Sequence, residues 1–238
     1  MRITRFAVLL VMAFSLTTHA LWPWGKKKKA NWDNEPVLEL YNGNEKPVDN
    51  VTVKKPSSKP EDGVSAKRVV KTAEAGSPSA QLMLGRMYFE GRGGVEQSYE
   101  KAHQWFKTSA EQGNAVAAFN YAICLDAGYG TEKDGKAALQ WYERAAMQGV
   151  REAQLNAALT YESRKDFPTA TKFFRMAADG GDVGAMKKAA DLLLASESDE
   201  AALRDGVAYL QRAADQGDHR AQVRLADCCQ RGLGVPRD

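Results

Sequence analysis

Ser98 and Lys101 are the residues whose spacing comes closest to a known catalytic string. They fit S-x-x-K, in which an activated serine attacks a carbonyl carbon in penicillin-recognising enzymes. Such a site also needs S-D-N and K-T-G strings, and the chain contains neither. Ser98 is equally suited to cap a helix that begins at Tyr99, because serine is a preferred N-cap residue. We therefore interpret the string as a helix start.

No other group of side chains has the spacing of a catalytic or metal site. His103 and His219 lie in different predicted helices, without a carboxylate or cysteine partner at metal-ligand spacing. We interpret both as surface residues or as structural residues with satisfied hydrogen bonds. Gly91-Arg92-Gly93-Gly94 follows a helical pattern, whereas a phosphate-binding loop follows a strand. We predict that the protein is not an enzyme and binds neither a metal nor a cofactor.

The three cysteines, Cys124, Cys228 and Cys229, do not form a disulfide framework. Adjacent cysteines rarely bridge, because the geometry strains the peptide between them. Cys124 and Cys228 belong to helical units three apart, so at about 10 Å per packed helix layer they are too distant for a disulfide. We interpret all three as small apolar packing residues.

Five glycines show how the chain is organised: Gly76, Gly113, Gly149, Gly181 and Gly217. They are 37, 36, 32 and 36 residues apart, and an alanine follows each of them four residues later. A marker that recurs at this interval is typical of an array of helix pairs. Such arrays usually present binding surfaces to other proteins.

Each marker glycine separates two predicted helices, helix B before it and helix A after it. The position nine residues after the glycine holds only glycine or alanine, which predicts close approach of a second helix: Gly85, Ala122, Ala158, Ala190 and Ala226. Eight positions before the glycine, helix B carries an aromatic ring: Trp105, Trp141, Phe173 and Tyr209. We predict that this ring packs over the small residue of helix A.

The turns and the ends of the array carry further predictions. The third unit lacks the glycine-rich turn of the first two, which accounts for its 32-residue step, and Pro168 is expected in the first turn of its helix. The helix from Val64 to Ala75 has Arg68 in the ring position, which suits a capping helix with one face in water. No helix B follows the fifth helix A, so Leu225 and Cys229 are expected to be open to solvent.

The first 20 residues are typical of a signal peptide. Arg2 and Arg5 form a basic start, and the apolar run from Phe6 to Leu16 is too short to cross a bilayer as a helix. We predict cleavage after Ala20 and a periplasmic or secreted protein. Removing the two arginines lowers the formal net charge from +3 to +1, so no nucleic-acid partner is expected.

Residues 21–63 have the composition of a largely disordered linker. Prolines recur through the segment without helical periodicity, and it cannot bury enough apolar surface to offset its ordering entropy. Its aromatic and basic start could contact an anionic membrane surface: Trp22, Trp24, Lys26, Lys27, Lys28 and Lys29. The alternative is a solubilising spacer.

The first full unit carries a recognisable motif from residue 80 to residue 113. It reads Ala80-x3-Leu84-Gly85-x2-Tyr88-x2-Gly91-x2-Gly94-Val95, then Tyr99-x2-Ala102-x2-Trp105 and Ala110-x2-Gly113. Residues 64–238 resemble the Sel-one-like repeat family, a relative of the tetratricopeptide repeat. The resemblance implies an all-α fold, an α/α solenoid of helix pairs with a concave groove.

Members of that family are mostly adaptors, so the resemblance implies an interaction scaffold in the bacterial envelope. The partner would be a protein or peptide in the groove lined by helix A, and helical phase points to four contact residues: Arg86, Phe89, Asp126 and Glu162. The alternative is a cell-wall hydrolase or a penicillin-binding or β-lactamase-like protein, activities linked to a cysteine-rich branch of the family. That branch bridges helices A and B with paired cysteines, which this chain lacks.

Overall fold

A computed structural model describes residues 66–195 and 199–234, and it shows only helices and turns in these ranges. The helices are α1 (Ala66–Glu74), α2 (Pro78–Glu90), α3 (Tyr99–Glu111), α4 (Ala115–Ala127), α5 (Gly135–Met147), α6 (Arg151–Ser163), α7 (Phe167–Asp179), α8 (Val183–Leu194), α9 (Glu200–Asp215) and α10 (His219–Arg231). None of these described helices is long and apolar enough to span a membrane. The predicted signal peptide, linker and membrane-contact residues lie outside the described ranges.

Helices that follow each other in the chain are also neighbours in space. The most extensive contacts pair α2 with α3, α4 with α5, α6 with α7 and α8 with α9, which are helix A and helix B of one unit. Each helix B also packs against the helix A that follows it, so the units stack in chain order. The predicted all-α array of helix pairs is confirmed.

The marker glycines end each helix B and start each helix A. All five have positive φ angles, between 86° and 94°, a conformation that residues with a Cβ adopt only at a cost. In four of the five helices A, the residue after the glycine caps the helix by accepting the backbone N–H three positions later: Ser77, Asn114, Asp182 and Asp218. The glycine and its capping neighbour therefore define the unit boundary.

The small-residue positions of helix A form the centre of the core. The predicted close-approach position is fully buried in the complete units, as at Ala122, Ala158 and Ala190. Ala226 of α10 is exposed, because no described helix packs on that side. Alanine columns of this kind let neighbouring helices approach without a cavity between them.

In the first unit, the ring that covers this small position stands one residue later than predicted. A Cβ added to Gly85 would lie 2.6 Å from two ring carbons of Phe106, so this ring fills the space and Trp105 does not. The corresponding residues are almost fully buried in every unit: Phe106, Tyr142, Phe174 and Leu210. Of the four predicted ring residues, Trp105 and Trp141 are only half-buried, whereas Phe173 and Tyr209 are buried. The positions seven and eight residues before the last four marker glycines both hold large apolar side chains, and they point only 100° apart on the helix. The spacing alone therefore did not show which of the two faces the small residue.

The turn between α6 and α7 replaces the missing glycine-rich loop of the third unit. Pro168 lies in the first turn of α7, which confirms that prediction, and Asp166 caps the helix by accepting the N–H of Thr169 at 3.2 Å. Lys165 takes a positive φ of 62° to reverse the chain. The shorter turn explains the 32-residue step.

The first and last described helices differ from the inner ones. Arg68 of α1 is exposed as predicted, and Val69 next to it takes the buried ring position. The cysteines are free, and Cys124 and Cys228 are buried. Cys229 is exposed, as predicted for the end of the array, so its interpretation as a packing residue was wrong. Burial raises the pKa of the Cys124 thiol to about 12.

Candidate functional site

Two of the four predicted contact residues, Arg86 and Phe89, lie in the first unit. Arg86 is only 7% exposed, so its assignment to a position outside the core was wrong. Phe89 is half-buried, and its ring centroid lies 5.0 Å from that of Tyr99 and 5.3 Å from that of Tyr129. Helical phase assigns a residue to a face of its own helix, but it does not tell which neighbours cover that face.

The other two, Asp126 and Glu162, are partly buried and have partners within the chain. Asp126 accepts a hydrogen bond from the Tyr142 hydroxyl at 3.5 Å, and burial raises the pKa of its carboxyl group. Glu162 forms an ion pair with Lys188, with an Nζ–Oε1 distance of 2.9 Å. The four side chains have different surroundings, and their contact with a partner stays a prediction.

Exposed ion pairs link helices α6, α8 and α10, which are helices A of successive units. Lys188 pairs with Glu162 across α6 and α8, and Arg224 pairs with Asp191 across α8 and α10. Two apolar side chains of these helices are also exposed, 39% at Leu159 of α6 and 71% at Val223 of α10. We call this surface the helix A face, defined by Leu159, Glu162, Lys188, Asp191, Val223 and Arg224.

A groove of about 690 Å³ lies on the other side of the array, between α3 and α5. We call it the α3/α5 groove, and its principal lining residues are Ala110, Glu111, Ala118, Trp141, Arg144 and Met147. The Arg144 guanidinium lies over the Trp141 ring, 4.6 Å from its centroid. Met147 at the rim is 62% exposed. The groove therefore combines apolar walls with charged groups.

A glutamine occupies the equivalent space in three other units, a feature that the apolar columns did not reveal. It stands five positions after the marker glycine and donates to the last buried carbonyl of the preceding helix B. The pairs are Gln81 with Ala73 at 3.2 Å, Gln154 with Ala146 at 3.1 Å and Gln222 with Ala214 at 3.3 Å. The second unit has Ala118 at this position and the fourth has Met186. Counting polar residues from each glycine would have found this column in the sequence.

Ser98 and Lys101 both lie at the start of α3, where Ser98 caps the helix. The Ser98 hydroxyl accepts the backbone N–H of Lys101 at 3.3 Å and donates to Glu100 at 3.0 Å. The Lys101 ammonium lies over the Tyr88 ring, 5.1 Å from its centroid. The predicted helix start is confirmed, and the S-x-x-K string contributes to it.

His103 differs from the prediction made for both histidines. His219 is exposed, as expected, whereas His103 is half-buried with its ring 5.1 Å from Tyr121. Its Nε2 atom is buried without a hydrogen-bond partner in the described part of the chain. The prediction that the hydrogen bonds of His103 are satisfied was therefore wrong. Burial lowers the pKa of His103, and the positive charge of Lys107 lowers it further.

We expect His103→Leu to stabilise the protein, and more strongly at pH 5 than at pH 7.5. Because the folded-state pKa is lowered, the unfolded chain binds more protons, so stability is lost as the pH falls through about 6.5. Leucine fits the site, since Leu139 holds the equivalent position in the next unit. Urea unfolding followed by circular dichroism at both pH values measures the effect, with His219→Gln as the control. An equal gain at both pH values would contradict the prediction.

Metal-ligand side chains are scattered over the array. Within residues 66–195 and 199–234, no three His, Cys, Asp or Glu side chains gather into a group that could hold a metal ion.

Comparisons with known proteins identify the repeat. A family model described as Sel1 repeat matches residues 78–114, 115–150, 152–182, 202–218 and 219–238, more than half of the chain. An uncharacterized protein of Neisseria meningitidis serogroup B is 32% identical over 170 residues, a match that covers 70% of this chain and 34% of the relative. This chain thus spans about a third of that protein's length.

Two solved structures have the same arrangement of helices. A Sel1 repeat protein from Oxalobacter formigenes is 31% identical, with a TM-score of 0.55, and the match covers 72% of this chain and 74% of that one. A protective antigen of uropathogenic Escherichia coli, described as displaying an SLR fold, is 29% identical with a TM-score of 0.56. That match covers 72% of this chain and 38% of the antigen.

Proposed function

Because the chain belongs to the Sel1 repeat family, we propose that it is an exported scaffold that binds a protein or peptide partner in the bacterial envelope. Sel1 repeat proteins generally act as scaffolds for protein interactions. The envelope location rests on the predicted signal peptide and its cleavage after Ala20. Leu21 as the first residue of the protein purified from the periplasm or medium would support it, and an intact Met1 start would contradict it.

The helix A face is the observation that carries the proposal. Ion pairs between successive units join Glu162 to Lys188 and Asp191 to Arg224, so a partner meets charges of both signs. Exposed Leu159 lies one helical turn before Glu162 on α6. Charges of both signs favour specificity and fast association, and apolar contacts at the centre of an interface supply affinity. The concave groove implied by the family resemblance would be lined by this face.

The four residues predicted from helical phase fit this proposal to different degrees. Glu162 belongs to the helix A face, and Asp126 holds the equivalent position one unit earlier. Phe89 holds that position in the first unit, within a cluster of rings. Arg86 is too buried to be a first choice for mutation. A test should therefore start from the exposed residues of α6 and α8.

Site-specific photocrosslinking in intact cells tests the proposal. A photoreactive amino acid at Leu159 should form a discrete adduct with an envelope protein, whereas the same probe at exposed Ala208 on α9 should not. Charge reversal of Lys188 and Asp191 together should remove the Leu159 adduct while the circular dichroism spectrum is unchanged. Adducts that are equal at both positions, or that survive the charge reversal, would contradict the proposal.

Ser98→Ala separates the scaffold from the enzyme alternative. Because Ser98 caps α3, we expect the change to lower the free energy of unfolding by about 1 kcal/mol. The adduct at Leu159 should persist, since Ser98 does not belong to the helix A face. Hydrolysis of nitrocefin by the parent protein that disappears in Ser98→Ala would support the β-lactamase-like alternative.

A further inference from the structure

The last buried carbonyl of helix B receives a side-chain donor at four of the five unit junctions. Glutamine supplies it at three of them, as described above. At the fourth, Arg212 of α9 replaces the glutamine and donates to the Ala178 carbonyl at 3.0 Å. The exception is the junction of the second unit, where the α3/α5 groove lies.

Arg212 shows how a guanidinium occupies this site. Besides the bond to Ala178, it forms an ion pair with the Asp179 carboxylate at 3.1 Å. Its guanidinium also lies over the Tyr209 ring, 5.4 Å from the centroid. A carbonyl, a carboxylate and an aromatic ring together thus make a complete arginine site in this fold.

The α3/α5 groove holds the same three groups at the same repeat positions. Ala110 corresponds to Ala178, Glu111 to Asp179 and Trp141 to Tyr209 when each is counted back from the next marker glycine. Ala118 stands where three other units place their glutamine, so helix A supplies no donor. Within the described part of the chain, the Ala110 carbonyl therefore receives no side-chain donor, and the Glu111 carboxylate has an ion pair with Lys107 at 3.9 Å. Both groups can accept a further donor from outside.

Arg144 does not fill the site, although it stands at the position of Arg212. Its guanidinium lies over Trp141, and within the described part of the chain it forms no hydrogen bond to Ala110 or ion pair with Glu111. Glu143 adds a second carboxylate to the lining, and the Tyr161 hydroxyl donates to one of its oxygens. A positively charged donor makes stronger hydrogen bonds to carboxylates than a neutral one.

We infer that the α3/α5 groove binds an arginine side chain from a peptide segment of a partner protein. The arginine donates to the Ala110 carbonyl and to the Glu111 carboxylate, as Arg212 does to Ala178 and Asp179. Neighbouring apolar atoms of the peptide pack against the exposed Met147 at the rim. The site lies on helices B, so it would bind independently of a partner on the helix A face.

The test uses the ¹⁵N-labelled full chain and three probe peptides, Ala-Ala-X-Ala-Ala with blocked ends. X is arginine, citrulline or alanine, and citrulline keeps the shape of arginine without its charge. The indole N–H signal of Trp141, identified by its loss in Trp141→Phe, reports binding. We expect saturable shifts with the arginine peptide and about tenfold weaker binding of the citrulline peptide, since charge-assisted hydrogen bonds are about twice as strong as neutral ones.

Ala118→Gln is the matched variant, because it restores the side chain that three other units carry. It should keep the fold, as judged by circular dichroism, and weaken binding of the arginine peptide at least about tenfold by filling the site. Glu111→Gln should abolish the preference for arginine over citrulline. Binding that persists in Ala118→Gln, equal binding of the three peptides, or no saturable shift in the parent chain would overturn the inference.

Discussion

Gly130→Ala is expected to lower the free energy of unfolding by about 3 kcal/mol or more. A Cβ at this position would lie 2.2 Å from the carbonyl oxygen of Tyr99 and 2.5 Å from the backbone nitrogen of Glu100. Backbone atoms in the first turn of α3 cannot rotate away as a side chain does, so the turn or the helix must shift. The φ angle of +69° adds the cost of a left-handed conformation for alanine.

The same contact recurs at the far end of the array. Gly234 stands at the equivalent position, and a Cβ there would lie 2.5 Å from the carbonyl oxygen of Leu203 at the start of α9. In both units the turn after helix A rests on the first turn of the previous helix B. At this contact the backbone of the turn packs directly against the backbone of helix B. The contact therefore fixes the position of the turn relative to the helix.

Urea unfolding of Gly130→Ala should be compared with Gly94→Ala. Gly94 has a similar φ of +84°, but a Cβ there would meet nothing within 4 Å. The control therefore carries only the conformational cost, about 1–2 kcal/mol. Equal losses in the two variants would show that the contact with Tyr99 does not limit the packing of units.

Phe106→Ala is expected to cost about 3–5 kcal/mol, the usual range for removal of a buried phenylalanine. The Phe106 ring is 1% exposed and covers Gly85 at the centre of the first unit. Trp105→Ala should cost less, although tryptophan is the larger residue, because Trp105 is only partly buried. Urea unfolding of both variants gives the comparison. A larger loss of unfolding free energy for Trp105→Ala would support the prediction from spacing, in which Trp105 is the ring that covers Gly85.

A double-mutant cycle with Gly85 locates the contact itself. Gly85→Ala alone should destabilise the protein by about 1–2 kcal/mol, because overpacking against Phe106 outweighs the better helix propensity of alanine. In a Phe106→Leu background the ring carbons are absent, so the same change should be neutral or stabilising. A cost of Gly85→Ala that is independent of residue 106 would contradict direct packing of the ring on the glycine.

Most positions that repeat from unit to unit hold residues that pack the helices together. A binding surface is therefore expected where one unit differs from the others. Ala118 is one such difference, since it lines the α3/α5 groove at the position where three other units have glutamine. The helix A face is another, because its ion pairs join only α6, α8 and α10 among the described helices. Neither surface disturbs the alanine columns that hold the helices together.

The sequence by itself determined the repeat, the helix pairs and the unit boundaries. Marker glycines, capping residues and alanine columns act within one helix or between neighbours in the chain, so their spacing is enough to predict them. The shortened third unit with Pro168, the exposed Arg68 and the cap at Ser98 followed from the same local rules.

Only the tertiary structure decided which faces are covered and which stay open. Phe106 rather than Trp105 faces inward, Arg86 is buried, and His103 packs against Tyr121 without a partner for Nε2. Spacing sets the direction of a side chain from its own helix axis, whereas burial depends on the side chains of other units that meet it. The α3/α5 groove has the same origin, since its walls come from side chains of α3, α4 and α5 that only the packing of these helices brings together.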